Sequence, residues 1–377
     1  MNGIYIYYYY IDEKKTNGID KKILNQIHLF NELGLNCKLV VFPYRFSFIT
    51  KVLGRLPFAN ADPVWKYDHR FDDIDYIYFR RPMNMTYAMR RFLEKVKQKN
   101  PRVRIVLEIP TYPYDKEIVE NKLNIPLYIK DKYNRKRLNG LVDRLAIIGN
   151  CDKTEKVWGI PAIWFVNGVN LKNITCRKNI HHEGEIHVIC VSTFEFWHGY
   201  DRLFEGLAQY YTQQDRRFDI YIHVVGDGLQ RHKYENIVLE KELSNYVKFY
   251  GMLYGDELDK VYDKCELACA SLGLHRIGVE VGSFLKTREY LAKGMPMLLG
   301  CKIDVLDDDY KYSYRFPAND EAIDFNEVIN FYKKVYCGNE SRQEVIDNIR
   351  RFAENTVDLS VTMKEITNYI QGKEDTI

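Results

Sequence analysis

The feature that most constrains the fold is an alternation of strand-like and helix-like segments through the first half of the chain. The helical patterns lie at Asp20–Leu33, at Thr86–Lys99 and within Asp115–Leu141. The strand candidates between them are Ile4–Tyr10, Asn36–Phe42, Asp75–Phe79, Arg104–Ile109, Arg144–Ile148 and Ala162–Val166. Such alternation predicts a parallel sheet with helices on both faces.

The alternation restarts in the second half of the chain. Strand candidates there are Glu185–Val191, Asp219–Val225, Tyr246–Tyr250, Leu267–Ala270 and Met297–Leu299. Helical patterns lie at Gly199–Tyr211, Leu229–Leu243, Asp320–Val335, Ser341–Glu354 and Leu359–Ile370.

Two runs of alternation in 377 residues predict two doubly wound α/β domains. We place the N-terminal domain at residues 1–170, a polar linker at 171–184 and the C-terminal domain at 185–354. A C-terminal helix within 355–377 is expected to pack back on the N-terminal domain. Ligands of such folds bind at the carboxyl ends of the strands, which here predicts a site in the cleft between the domains.

The net charge of +3 conceals an asymmetry between the two halves. Residues 1–170 contain 29 Lys and Arg against 18 Asp and Glu, and the remainder contains 26 against 34. A basic N-terminal half suggests contact with an anionic surface, such as an inner membrane leaflet rich in acidic lipids. Nucleic acid is disfavoured as a partner because no nucleic-acid motif accompanies the charge, and a solvated basic face remains the plain alternative.

Other sequence features limit the compartment and the cofactors. No apolar run is long enough to span a bilayer, and the first residues lack the pattern of a signal peptide. The eight cysteines form no CxxC pair, so we expect a reduced, cytoplasmic protein without structural zinc. The absence of GxGxxG and of a P-loop pattern argues against nicotinamide and flavin cofactors.

The segment Ser283–Met297 carries the most chemical information. It is typical of a turn that opens a short helix, and Gly294 and Pro296 end that helix. Lys286 and Glu289 are three residues apart, so both emerge on one side of the first turns. A cation at a helix N-terminus favours a phosphate, and a carboxylate accepts hydrogen bonds from sugar hydroxyls, which together suit a nucleotide sugar. The alternative is a solvated helix with an incidental ion pair.

Two glycine turns have the position of ligand loops. Val224–Leu229 ends a buried strand with Gly226 and Gly228, and Thr16–Asp20 follows the first strand with Gly18. Glycine at such turns lets backbone and ligand approach closely. Either segment is equally explained as a tight turn.

Taken in order, these motifs resemble the GT-B glycosyltransferases, and within them the retaining family 4 enzymes. The matching segments in the second half are Asn167–Asn170, Val191–Arg202, Val225–Arg231, Val247–Met252 and Leu285–Gly294. In the first half, Arg104–Asp115 resembles enzymes that build bacterial capsular or exopolysaccharides.

The resemblance implies roles for the matching positions. Glu289 is expected to hold the nucleotide ribose, and Lys286 with the preceding turn is expected to contact the donor and its diphosphate. The remaining donor-binding positions are Gly18 at the diphosphate, Gly226 and Gly228 along the nucleotide, the backbone of Met252 at the base, and Ser283, Phe284 and Leu285 in the turn.

The chain departs from the family pattern at two places. The family places an Arg and a Lys before the glycine that matches Gly199, whereas here the first position is near Thr193 and His198 replaces the lysine. We expect His198 to act beside the diphosphate with Arg202 sharing the load, the alternative being a locally bonded histidine at the start of a helix. Glu280 lies one residue from the position of the family's first glutamate and is a candidate donor contact.

The expected reaction is transfer of a sugar from a nucleotide-diphosphate sugar, with a UDP-sugar favoured, to a saccharide acceptor, which we expect to be lipid-linked. The resemblance implies retention of configuration and no obligatory metal, and we expect no other cofactor. The predicted catalytic residues are Lys286, His198 and Glu108, with Tyr112 on the acceptor side. Glu108 is equally well explained as a paired carboxylate.

Three other functions remain open at this point. A GT-B epimerase would consume the donor without an acceptor. A non-catalytic subunit of a polysaccharide assembly complex would bind the donor without turnover. A nucleic-acid binder would show an affinity that depends steeply on salt.

Overall fold

The computed structural model describes residues 1–11, 18–44, 52, 65–119, 121–149 and 154–373. The chain divides into two compact units. Unit 1 contains residues 1–166 and 362–377, and unit 2 contains residues 167–361.

Unit 1 is built on a seven-stranded sheet. Its strands are β1 (Gly3–Tyr7), β2 (Cys37–Val41), β3 (Tyr76–Arg80), β4 (Arg104–Ile109), β5 (Arg144–Ile148), β6 (Lys156–Val157) and β7 (Ile160–Phe165). Their order is β2-β1-β3-β4-β5-β7-β6, and every neighbouring pair is parallel except β6 and β7. The central strands β1, β3, β4 and β5 are almost wholly buried, as expected for a parallel sheet covered on both faces.

The first helices of the chain are α1 (Gly18–Glu32), α2 (Tyr87–Lys99), α3 (Asp115–Val119) and α4 (Ile125–Arg135). In α2 the residues Met89, Phe92, Leu93 and Val96 are buried at helical spacing, while the opposite face is charged. The Thr86 hydroxyl accepts a hydrogen bond from the Met89 amide and caps this helix. Propensity, spacing and cap therefore agree on where α2 begins.

Unit 2 contains a six-stranded sheet and a small strand pair. The sheet strands are β8 (Glu185–Val191), β9 (Asp219–Val225), β10 (Val247–Gly251), β11 (Leu267–Cys269), β13 (Met297–Leu299) and β15 (Ser313–Arg315), and β12 (Val281–Gly282) pairs with β14 (Lys302–Ile303). The six strands are all parallel, in the order β10-β9-β8-β11-β13-β15. The chain moves outward in one direction from β8 and then in the other from β11, so the topological switch point lies between these two strands.

Seven helices are described in unit 2. They are α5 (Tyr200–Tyr211), α6 (Arg231–Glu240), α7 (Gly255–Tyr262), α8 (Leu285–Ala292), α9 (Phe325–Tyr336), α10 (Arg342–Thr356) and α11 (Leu359–Thr362). A hydrophobic core of strand and helix residues holds them on the sheet, with Ile186, Val188, Tyr200 and Tyr290 fully buried.

The segment predicted as a linker, residues 171–184, packs within unit 2. Arg350 on α10 donates to the carbonyl oxygens of Leu171 and Ile174, each at 2.8 Å. Arg177 is buried, and its guanidinium donates to the Tyr336 hydroxyl at 2.8 Å. These bonds attach the segment to α9 and α10 of unit 2.

The last described helix, α12 (Lys364–Gln371), belongs to unit 1. The guanidinium of Arg104 on β4 donates to the Ile370 carbonyl, and the Arg144 guanidinium lies 4.4 Å from the centre of the Tyr369 ring. The predicted C-terminal segment, residues 355–377, is therefore divided between the two units. The end of α10 and most of α11 belong to unit 2, and α12 belongs to unit 1.

The main departures from the predicted elements have local causes. The first strand ends at Tyr7 instead of Tyr10, and the helical pattern in Asp115–Leu141 is interrupted between α3 and α4. The Asn121 side chain accepts from the Leu123 amide and caps a short turn there, and Pro126 stands in the first turn of α4. The seven cysteines among the described residues are all free, and Cys151 lies outside them.

Candidate functional site

The loops that leave the carboxyl ends of β8, β9 and β11 pack on one another at the switch point of unit 2. The Phe194 amide donates to the Asp227 carbonyl at 2.8 Å, which joins the loops after β8 and β9. The Leu272 amide donates to the His198 carbonyl at 2.8 Å, which joins the loops after β8 and β11. Three chain segments thus form one surface where ligands of doubly wound folds bind.

The glycines of the loop after β9 are required by protein packing. Gly226 has φ of +133°, and a Cβ there would lie 1.8 Å from the Ser192 carbonyl oxygen. A Cβ on Gly228 would lie 2.5 Å from the Phe194 amide nitrogen. Close packing against Ser192 and Phe194 therefore explains why both positions are glycine without a ligand, although their loop borders the site.

His198 lies at the centre of this surface, just before Gly199. Its Nδ1 accepts a hydrogen bond from the Glu195 amide at 3.2 Å, so the neutral ring carries its proton on Nε2. Burial and the nearby charge of Lys286 lower the pKa of His198 to about 3. The expected cationic role does not fit the free protein, because a buried imidazole beside an ammonium is neutral at pH 7.

Lys286 stands in the first turn of α8, where the sequence predicted it. Its Nζ is buried and has no hydrogen-bond partner in the part of the chain that the structure describes. Burial lowers the pKa of Lys286 to about 8. A buried ammonium without a partner is costly, since it has lost its hydration and gained no bond in return.

The groups around Lys286 do not neutralise it. Three cysteines, Cys190, Cys269 and Cys301, lie near enough to act on its charge. Burial raises the pKa of the Cys190 thiol well above its usual value and that of Cys301 to about 11. These two thiols are uncharged at pH 7, so they do not compensate the ammonium.

The turn before α8 is held by buried polar contacts. The Ser283 hydroxyl accepts from the Asn167 amide and from the Arg288 guanidinium, each at 3.2 Å. Arg288 is wholly buried and pairs with Asp304. Ser283 is thus engaged in fixing the turn, and Phe284 covers Gly282 before Leu285 begins the helix.

The remaining predicted donor contacts are Glu289 and Met252 in unit 2 and Gly18 in unit 1. Glu289 follows Lys286 by one turn on α8 and is partly exposed, and Met252 is 48% exposed just after β10. Gly18 begins α1 in unit 1, and the rest of its predicted loop, Thr16 and Asn17, lies outside the described residues.

Arg202 does not have the role that we predicted. Its guanidinium donates to the carbonyl oxygens of Glu321, Leu272 and Pro317 and to the side chain of Asn319. These contacts use four of its five N–H groups, and the side chain is buried. Arg202 is a positioning residue that fixes the loops around the site, because its donors are already committed to the protein.

Glu280 lines a cavity of about 540 Å³ at the carboxyl ends of β13 and β15. The wall also contains His275, Lys302, Arg315 and Phe316. Cys301 belongs to this wall and is also one of the thiols near Lys286. The cavity was not predicted from the sequence, because its charged residues are scattered over 40 positions without a motif.

Glu108 in unit 1 is a paired carboxylate, which was the alternative to its predicted catalytic role. It accepts hydrogen bonds from Lys22 at 3.0 Å, Gln26 at 2.9 Å, Tyr78 at 2.6 Å and Arg80 at 2.7 Å. Burial by itself raises the pKa of Glu108, but the charges of Lys22 and Arg80 prevail and lower it to about 2. A carboxylate so fully bonded is a poor base, so the predicted catalytic role is not supported.

Tyr112 lies in an aromatic cluster just after β4. Its ring centre is 6.3 Å from that of Trp158 and 5.8 Å from that of Trp164. All three side chains are partly exposed. The sequence indicated Tyr112 but gave no sign that the two tryptophans, almost 50 residues later, would lie beside it.

The geometry can be compared with known proteins. Residues 173–285, less than half of the chain, match the model of the family described as glycosyl transferases group 1. A search of curated protein sequences gives no match.

Solved structures similar to this chain include three glycosyl-transferring enzymes. A glycosyltransferase from Rickettsia africae has a TM-score of 0.65 at 12% identity, with 100% of this chain and 99% of that one covered. Sucrose-phosphate synthase from Thermosynechococcus elongatus has 0.64 at 12%, with 99% of each chain covered. The lipopolysaccharide outer core galactosyltransferase WaaB has 0.57 at 14%, with 99% of this chain and 100% of that one covered.

At these identities the likeness establishes the fold, which is GT-B as predicted. Residues 173–285 therefore carry the sequence signature of group 1 glycosyltransferases within a chain that has the GT-B fold.

Proposed function

We propose that this chain is a glycosyltransferase that moves a sugar from a nucleoside-diphosphate sugar to a saccharide acceptor, with retention and without an obligatory metal. The observation that carries the proposal is the buried Lys286 Nζ, which has no hydrogen-bond partner among the described residues. The group 1 sequence signature, which ends at residue 285 just before this lysine, supports the same class of reaction.

A diphosphate would supply what Lys286 lacks. Lys286 stands in the first turn of α8, so its ammonium is close to the first N–H groups of that helix. Both the ammonium and these N–H groups favour an anion. Bond breaking places further negative charge on the departing diphosphate, so these donors stabilise the transition state more than the bound donor. Lys286 is our principal catalytic residue.

His198 would then act as a neutral donor. With Nδ1 accepting from the Glu195 amide, the Nε2–H is the group that can bond to a phosphate oxygen. A neutral N–H gives a weaker bond than the lysine of the family pattern. His198 orients the diphosphate in this proposal, while Lys286 provides the charge.

The sugar and the base are assigned to the neighbouring positions. Glu289 would accept hydrogen bonds from the ribose, and the backbone at Met252 would face the base, with a UDP-sugar favoured. Glu280 and its cavity, on the side of β13 and β15, would offer space for the donor sugar.

On the acceptor side we assign the aromatic cluster of Tyr112, Trp158 and Trp164. Aromatic faces bury the apolar face of a sugar ring, and the partly exposed rings are available for this. We propose a lipid-linked saccharide as acceptor, and cell-surface polysaccharide synthesis of the capsular or exopolysaccharide kind as the role.

Peripheral membrane attachment would bring the enzyme to such an acceptor. Ile125, Ile129 and Tyr133 recur at four-residue spacing on α4 and are 46%, 61% and 53% exposed. Basic residues flank this ridge at Lys122, Lys130, Lys132, Lys136 and Arg137. An apolar ridge with basic flanks is typical of helices that lie in the interface of an anionic membrane. No helix among the described residues is long and apolar enough to cross a membrane.

The membrane proposal is tested by sedimentation with vesicles of neutral or of mixed neutral and anionic lipid. We expect preference for anionic vesicles, reduced by Ile129→Ser and by salt. The matched control is Leu239→Ser, an exposed leucine on α6 of unit 2. Equal sedimentation of the two variants would remove α4 from the membrane contact.

The donor proposal is tested by calorimetric titration and thermal shift with UDP, GDP, CMP, ADP and dTDP. A ligand at one hundred times its Kd stabilises a protein by about 2.7 kcal/mol. We expect one nucleotide to bind, most tightly UDP, and Lys286→Met to weaken it about 10- to 100-fold because a charged hydrogen bond is lost. Glu289→Ala should weaken it as well, whereas Lys260→Met, at an exposed lysine on α7, should not.

Turnover then separates this proposal from its rivals. Product formation from the bound donor only in the presence of a saccharide acceptor supports a transferase. Donor consumption without an acceptor would indicate an epimerase, and binding without turnover on any acceptor would indicate a non-catalytic subunit. Binding of none of the five nucleotides would contradict the assignment of Lys286.

A further inference from the structure

A cluster of histidine and glutamate side chains lies at the beginning of β8, at the opposite end of that strand from the loops of the candidate site. One ligand atom from each of His182, Glu185 and His187 lies within 4.8 Å of the others. Glu185 and His187 are two residues apart on the strand and point to the same face of the sheet. His182 reaches them because the Glu185 amide bonds back to the His182 carbonyl at 3.3 Å.

We propose that His182, Glu185 and His187 bind a divalent transition-metal ion of the Zn²⁺ class. Two imidazoles and one carboxylate are a ligand set that Zn²⁺ uses, with a fourth position left for water. Glu185 and His182 are partly exposed, which gives the ion a path from solvent.

The distances fit an ion at the centre of the cluster. Zinc–ligand bonds of about 2.0–2.1 Å place neighbouring ligand atoms of a tetrahedral site roughly 3.3 Å apart. The Glu185 Oε2 lies 2.9 Å from the His187 Nε2 and 3.8 Å from the His182 Nδ1. Both separations are within about 0.5 Å of the tetrahedral edge, and the third, between the two histidine nitrogens, is within 4.8 Å, so binding requires the His182 side chain to rotate towards the ion.

The surroundings of His187 supply the outer contacts that a metal-binding histidine needs. Its Nδ1 lies 2.9 Å from the His223 Nε2, and the His223 Nδ1 lies 2.8 Å from the Tyr250 hydroxyl. With the ion on the His187 Nε2, the Nδ1–H donates to His223, which fixes the ring and its tautomer. The Tyr221 ring stacks on His187 at 4.9 Å and restricts it further.

The His182 ring would bind the ion through Nδ1. Among the described residues its Nε2 is buried without a hydrogen-bond partner, and an ion on Nδ1 leaves that nitrogen as it is. The bound ion would also tie the turn before β8 to the strand, and so stabilise the edge where residues 171–184 enter the sheet.

The prediction of no structural zinc rested on the lack of CxxC pairs, and the prediction of no obligatory metal rested on the family resemblance. The present site contains no cysteine, and it is remote from the residues of the proposed transfer reaction. A negative result for the metal site can therefore be distinguished from a negative result for the proposed function.

The test is calorimetric titration of the tag-free, chelator-treated chain with Zn²⁺ alone. We expect one tight site per chain and a Tm raised by a few degrees at saturating Zn²⁺. Glu185→Gln and the double change His182→Gln with His187→Gln should each weaken binding at least about 100-fold, and His223→Gln about 10- to 100-fold.

Two controls guard against surface binding. His232→Gln removes a histidine whose side chain is 95% exposed on α6, and Cys337→Ser removes an exposed thiol; neither should change the affinity. Co²⁺ substitution gives a second readout, since tetrahedral nitrogen and oxygen ligation produces visible absorption bands that Glu185→Gln should abolish. Zn²⁺ binding that survives all the ligand variants, or no binding to the native chain at 100-micromolar Zn²⁺, overturns the proposal.

Discussion

Glu108 in unit 1 and Lys286 in unit 2 are both buried charges near the carboxyl ends of parallel strands, and they are treated in opposite ways. Glu108 accepts four hydrogen bonds, two of them from cations, and its pKa falls to about 2. The Lys286 ammonium has no hydrogen-bond partner within the described ranges, and its pKa falls to about 8.

The two shifts have the same sign and opposite meanings. A lowered carboxylate pKa shows that the folded protein stabilises the charge, whereas a lowered lysine pKa shows that it penalises the charge. The partners of Glu108 therefore stabilise its carboxylate, while burial lowers the pKa of one of them, Lys22, to about 8. Lys286 lowers the stability of free unit 2, which is the pattern expected where a ligand completes the site.

The largest expected effect comes from breaking the paired charge. Glu108→Gln should destabilise unit 1 by about 3–5 kcal/mol, because Lys22 and Arg80 would remain buried without their counter-charge. Hydrogen exchange on peptides from β3 and β4, together with urea unfolding, measures the loss. The control is Glu94→Gln, which removes partly exposed ion pairs on α2 and should cost less than about 1 kcal/mol. Equal losses in the two variants would mean that the network is not a stabilising unit.

Acid should remove the same contribution gradually. The pKa of Glu108 is about 2 in the folded protein and about 4.3 when unfolded, so its contribution is full above pH 4.3 and declines as pH falls towards 2. This shift corresponds to about 3 kcal/mol. The difference in unfolding free energy between the native chain and Glu108→Gln should therefore narrow from pH 5 to pH 2.5. A constant difference across that range would contradict the assignment.

Removing the unpaired charge of Lys286 should raise the stability of the protein instead of lowering it. Lys286→Met is expected to stabilise unit 2 by about 1–3 kcal/mol at pH 7, because an uncompensated ammonium is replaced by an apolar chain of similar length. Urea unfolding with hydrogen exchange on α8 peptides measures the gain, and Lys260→Met should change stability by less than about 0.5 kcal/mol. A marked loss of stability in Lys286→Met would show that the lysine is structural.

The smallest expected effect is a dependence of UDP affinity and of protein stability on pH that comes from Lys286 alone. Because the folded pKa of Lys286 is about 8, UDP affinity should be constant below pH 8 and fall by up to about tenfold per pH unit above it. Over pH 8 to 10 the free protein should gain stability from this group, since its unfolded form binds the proton more tightly. Calorimetric titrations at pH 7, 8 and 9 test the first statement, with Lys286→Met expected to show no such dependence.

Much of the architecture was predictable from the sequence because hydrophobic period and length distinguish buried strands from helices. The bounds of β4, β5, β8, β9 and β13 agree with the predicted ones. Residues such as Ile186, Val188, Ile220 and Ile222 are apolar because both faces of their strands are covered, and that pattern is local. The helix start at Leu285 is similarly encoded by the turn before it.

The candidate site was predictable only in part, because its chemistry depends on contacts between distant residues. Lys286 stands out in its own segment, but nothing nearby in the sequence indicates that Cys190, Cys269 and Cys301 lie near its charge. Arg202 was expected to face a ligand, yet the carbonyl oxygens that it contacts lie 70 to 119 residues away. Glu108 was ambiguous for the same reason, since Lys22 lies 86 residues earlier.

The discontinuity of unit 1 affects how the chain can be made. Residues 1–166 emerge from a ribosome first, but the helix α12 that bonds to Arg104 on β4 is synthesised only after all of unit 2. Until α12 is synthesised, the larger part of unit 1 therefore lacks one of its helices. Unit 2 is contiguous in the sequence, so all of its residues are available for folding before that helix is made. The part of the protein that is translated first is thus the part that is finished last.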